Sequence, residues 1–85
     1  MKKHNNQPLT LLYMLECLGE VFYGKETFYA NKRKNTITGE IVYDITFDND
    51  PRFTFYPSSH KVYTKINTFC GNTKKTFLDW LKNNA

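Results

Sequence analysis

The stretch Glu40-Ile41-Val42-Tyr43-Asp44-Ile45-Thr46-Phe47-Asp48 restricts the fold more than any other part of the chain. Ile41, Tyr43, Ile45 and Phe47 alternate with Glu40, Val42, Asp44, Thr46 and Asp48. Successive side chains of an extended chain point to opposite faces, so the nonamer reads as a strand with one apolar row and one acidic row. The apolar row needs a core, and the neighbouring segments must supply it.

The chain has 85 residues, enough for one domain with a single modest core. At 40% hydrophobic and 16% aromatic it carries the material to fill that core, which argues against disorder outside the termini. Residues 1–7 are polar and basic, with Lys2, Lys3 and His4, and are expected to form a mobile tail. Residues 8–85 are expected to form the domain.

After Pro8, the spacing of Leu11, Leu12, Leu15 and Leu18 predicts a helix beginning near Leu9 and stopping at Leu18 or at Tyr23, with Leu18 preferred. Thr27, Phe28 and Tyr29 favour a strand. The run Asn31-Lys32-Arg33-Lys34-Asn35 is expected to be the basic tip of a hairpin returning through Thr36-Ile37-Thr38, with a bend at Gly39. Asp48-Asn49-Asp50-Pro51 is turn chemistry, and Phe53-Thr54-Phe55-Tyr56 is the returning strand with Phe53 and Phe55 inward. In the next alternation Val62, Thr64 and Ile66 are expected to face in and Lys61, Tyr63 and Lys65 out, the lysines opposite the acidic row. Thr73 or Thr76 caps a last helix with Phe77, Leu78 and Leu81 on the core and Trp80 at its edge. The fold class is therefore α+β: a helix, a three- to four-stranded antiparallel sheet, and a C-terminal helix, with both helices on one sheet face.

Lys and Arg outnumber Asp and Glu by 12 to 8, a net charge of +4 that suits an acidic partner. Lys32, Arg33 and Lys34 at a projecting tip are candidates for phosphate contact. So are Lys74 and Lys75, which sit against the dipole at a helix start where an anion would offset them. The element order resembles that of double-stranded-RNA-binding domains, and the resemblance implies phosphate contacts from a loop and from the start of the last helix. Element order alone does not carry function. The six tyrosines are expected mostly to edge the core.

The first expectation is thus a small non-enzymatic cytosolic protein that binds nucleic acid or a nucleoprotein. The second is an inhibitor or accessory factor, of the kind mobile elements encode, docking Glu40, Asp44, Asp48 and Asp50 on a basic protein. A third is a metal-free ribonuclease using His60 with Arg52, Ser58, Ser59, Lys61, Tyr56 and Tyr63. Cys17 and Cys70 have neither a CxxC spacing nor a neighbouring His, so they are expected to be reduced thiols rather than metal ligands. No cofactor motif is present. The N-terminal apolar run lacks a small-residue cleavage site and is too short to span a bilayer, so neither a secretory signal nor a membrane helix is expected.

Overall fold

The computed structural model describes residues 7–84; Lys2, Lys3, His4 and Ala85 lie outside them. The order is α1 (Leu11–Phe22), β1 (Phe28–Lys34), β2 (Ile41–Phe47), β3 (Asp50–Tyr56), β4 (Lys61–Thr64), β5 (Phe69–Gly71) and α2 (Lys74–Asn84). The strands form one antiparallel meander in chain order, five strands rather than three or four.

Local chemistry sets the boundaries. Thr10 caps α1, its hydroxyl accepting from Tyr13 N at 3.1 Å, and the buried Leu9 and Met14 occupy the flanking positions of a hydrophobic staple. The helix runs through Gly19 and ends at Phe22, not Leu18, because Val21 and Phe22 pack on the core and hold the last turn. Its buried stripe is Met14, Cys17 and Leu18, which turns Leu12 out to 64% exposure. Thr73 caps α2 by accepting from Thr76 N at 3.1 Å, and the Thr76 hydroxyl accepts from Thr73 N at 3.0 Å. Within the helix, Asp79 pairs with Lys75 at 3.0 Å. The two helices start side by side, tied by Leu9 N donating to Asn72 O at 2.9 Å and Lys74 N to Gln7 O at 3.3 Å.

The β2–β3 turn is the two-residue loop Asp48-Asn49, both with positive φ (52° and 67°), as a type I′ hairpin turn requires. Asn35 organises the β1–β2 loop by accepting from Ile37 N and Thr38 N on its side chain. The basic run is consequently not a tip. Lys32, Arg33 and Lys34 are the last residues of β1, paired with Tyr43, Val42 and Ile41, and the loop displays the 92% exposed Ile37.

One cluster forms the core, between the helices and one face of the sheet: Ile45, Phe47, Phe53, Phe55, Val62 and Cys70 from strands meet Leu9, Met14, Cys17, Leu18, Phe77 and Leu81. Phe47 and Phe53 centre an aromatic network with Phe22, Phe28, Phe77 and Trp80. The alternation of the central strand holds for Ile45 and Phe47, but Ile41 is exposed and Tyr43 is half-buried. On its other face Val42 and Thr46 are buried, not exposed. Val42 lies beside Arg33 and, continuing the register, Tyr56; Thr46 lies between Tyr29 and Pro51, where the ladder shifts. Ile66 does not face in and is 77% exposed. No helix among the described residues is long and apolar enough to cross a membrane.

Candidate functional site

The strand periodicity sends the residues flanking the core positions to the face away from the helices. Phe55 and Val62 are buried, so their neighbours Tyr56, Lys61 and Tyr63 lie on that outer face, and Phe69, paired with Tyr63, joins them. The Tyr56 and Tyr63 rings meet edge to face at 5.6 Å, and the Tyr63 and Phe69 rings lie 5.7 Å apart. Lys61 places its ammonium 5.7 Å from the centre of the Phe69 ring, within cation–π range. A hollow of about 330 Å³ opens between Tyr56, Ser59, Lys61, Tyr63 and Asn67. Phe69 remains 47% exposed, and Tyr29 on the same face 48%.

The middle of this face is occupied by the two charges that the sequence assigns to rival surfaces. Arg33 reaches across from β1 and donates twice to Asp44 on β2, Nε to Oδ2 at 2.6 Å and Nη2 to Oδ1 at 3.1 Å. Thr54 adds its hydroxyl at 3.1 Å. Hydrogen bonds from Arg33 hold the Asp44 carboxyl below its ordinary range, with the Arg33 charge and the Thr54 hydroxyl adding to the effect and burial opposing it.

The remaining candidates are dispersed. Lys32 lies on the helix side with Ile41 and Tyr43, lining a hollow beside Leu9 and His60. Lys34 pairs with Ile41 at the end of β1. Lys74 is the first residue of α2 and is satisfied without phosphate: it pairs with Glu16 at 3.0 Å and sits 5.2 Å from the Tyr13 ring. Lys75 pairs with Asp79 at 3.0 Å. Glu40 accepts from Ser58 at 2.6 Å and Thr38 at 3.1 Å; Asp50 binds Lys65 at 3.0 Å; Asp48 is exposed in its turn. Glu40, Asp44 and Asp50 are thus each engaged by neighbouring side chains, and Lys61 and Lys65 lie on β3's far side from β2 rather than opposite it.

His60 donates from Nδ1 to the carbonyl of Leu9 at 2.9 Å, a tie between the β3–β4 turn and the start of α1. Arg52 is at the other end of β3, stacked 4.6 Å from the Phe47 ring and doubly bonded to Glu26. The two do not converge on a common site. Cys17 and Cys70 are free and buried, and burial pushes each thiol up to about 11. Among the described residues no group of three His, Cys, Asp or Glu side chains is placed to hold a metal ion.

The sequence offers tyrosines on a sheet face as a stacking platform but ranks it below a core-edge role, so the aromatic row stood outside the candidate site residues although its signal was present. Tyr56 and Tyr63 each flank a residue assigned inward. The chain matches no protein-family model, no curated protein and no solved structure.

Proposed function

We propose that this domain binds single-stranded nucleic acid across the open face of its sheet. The observation that carries the reading is the row Tyr56, Tyr63 and Phe69, with Lys61 against its last ring, on the face opposite both helices. Bases of any sequence present a π-face, and exposed rings beside cations hold them by stacking while the cations meet the phosphates. The hollow between Tyr56, Lys61 and Tyr63 suits one unstacked base better than a duplex, whose bases are stacked inside. Net positive charge supports the same polarity of partner. In this reading Lys61 and Arg33 are the cations on the binding face, while Lys74 and Lys75 are held by carboxylates of the helical layer.

The test is fluorescence anisotropy of labelled single-stranded DNA and RNA with wild type, Tyr63→Leu and Phe69→Leu. Leucine keeps apolar volume and removes the π-face. Each variant is expected to bind roughly 5- to 150-fold more weakly, the equivalent of about 1–3 kcal/mol per stacked base. Absence of binding at low salt by wild type, or unchanged affinity in both variants, overturns the proposal.

A further inference from the structure

We propose that the free edge of β1 takes up an extended acidic segment of a partner protein as a sixth strand of the sheet. β1 ends the sheet on one side, and among the described residues its one strand partner is β2. Its backbone polarity follows from the hairpin. Asn35 N donates to Glu40 O at 2.8 Å, so stepping back by twos, Arg33, Asn31 and Tyr29 point their backbone groups at β2. Lys34, Lys32, Ala30 and Phe28 then point theirs outward, and among the described residues no strand pairs with them, which leaves a row of donors and acceptors of the kind that β-strand addition uses. The opposite edge differs. β5 is three residues long, and the start of α2 lies so close that a Cβ on Gly71 would fall 2.5 Å from the Thr76 hydroxyl.

Charge selects the occupant. Lys32 and Lys34 take part in no ion pair among the described residues, unlike Arg33, which Asp44 holds. Both lysines share the helix-side face with Ala30 and Phe28, because the four positions alternate with Arg33, Asn31 and Tyr29. A second copy of β1 would double the cations within one two-stranded ribbon, which disfavours self-pairing. A carboxylate strand meets them instead. In antiparallel addition the incoming residues opposite Lys34, Lys32, Ala30 and Phe28 read, from its N-terminus, acidic-x-acidic-x-apolar-x-apolar.

The experiment titrates a fluorescein-labelled peptide Glu-Thr-Glu-Thr-Val-Thr-Val into the full chain. Expected is saturable binding that the reversed-order peptide shows at least about tenfold more weakly. Three perturbations are each expected to weaken it about fivefold or more, the equivalent of about 1 kcal/mol for a lost strand hydrogen bond. One is Ala30→Pro, which removes an outward N–H and keeps every charge, as an edge strand tolerates. The second, which does not depend on that variant folding, is N-methylation of the peptide's third and fifth amides. The third is Lys32→Glu with Lys34→Glu. No saturable binding to wild type, or binding unaffected by N-methylation, overturns the proposal. So does binding of a single-stranded oligonucleotide that the Lys32→Glu, Lys34→Glu variant loses while the peptide fails to bind.

Discussion

Replacing Asp44 with Asn is expected to strengthen nucleic-acid binding while barely changing stability, and the two magnitudes can be worked separately. Arg33 and Asp44 form a pair whose side chains are 48% and 20% exposed. A pair this open is worth less than about 1 kcal/mol, since water takes up the guanidinium once it is released. Asn keeps an oxygen for the Thr54 hydroxyl, so no buried donor is orphaned. Binding responds differently. The substitution removes a negative charge from the face and frees Arg33 for a phosphate. One added phosphate contact on a single strand steepens the slope of log affinity against log salt by about 0.7. Between about 200 and about 50 mM salt, the affinity of the variant should therefore rise about 2.5-fold more than that of wild type.

Anisotropy across a salt series reads the slope, and a thermal melt reads the stability. The pH dependence of the melt is an internal check. Because the folded Asp44 carboxyl lies below its ordinary value, its stabilising contribution is complete above the unfolded carboxylate pKa of about 3.9 and is lost as pH falls through the folded value. The melting difference between wild type and Asp44→Asn should hold steady from neutral pH to about 4 and shrink below it. An equal or shallower salt slope in the variant, with melts otherwise as described, refutes the placement of Arg33 at the phosphates.

Gly71→Ala should cost about 1–3 kcal/mol in a denaturant melt, because the new methyl meets Thr76 Oγ1 at 2.5 Å and the Phe77 backbone nitrogen at 2.7 Å, and neither is a flexible chain end. Ile45→Asp should abolish the cooperative transition by placing an unpaired charge in the core, whereas Ile41→Asp, on an exposed position of the same strand, should shift it little. Cys17 and Cys70 should react with a thiol reagent at pH 8 only as fast as the domain opens, since both are buried and raised to about 11; immediate labelling of the folded chain would contradict their packing.

Elements with strong local chemistry are legible in the sequence. The turn at Asp48-Asn49, the inward Phe53 and Phe55, and the Phe77 and Leu81 stripe of α2 are each written in adjacent residues. What escaped was set by tertiary pairing. Asn31-Lys32-Arg33-Lys34 has poor intrinsic strand preference, yet β2 supplies a full ladder for it, and pairing decides where propensity does not. β5 has three residues, too few for an alternation to appear. Val42 is buried where Arg33 and, continuing the register, Tyr56 flank it on the neighbouring strands, a placement that no reading of β2 alone contains. The candidate surfaces failed to separate for a related reason. Charges counted along a chain carry no record of which will meet, and Arg33 meets Asp44 only once β1 and β2 are in register.

That cancellation changes which residues are left to explain. Arg52, Lys65, Lys74, Lys75 and Lys82 all stand within ion pairs, so folding and solubility account for their positions. An outer sheet face that only has to meet water is satisfied by Thr, Lys and Glu, as antiparallel sheets covered on one side generally are. Here, beside Lys61, Thr54, Arg33 and Asp44, it also carries Tyr29, Tyr56, Tyr63 and Phe69, two of them about half exposed. Each exposed ring leaves apolar area in water that burial elsewhere does not recover, at about 25 cal/mol per Å². In the proposed reading such a face is accounted for by a partner that covers the rings, and of the partners that a net positive chain attracts, a single strand of nucleic acid offers both the flat apolar surface and the negative charge.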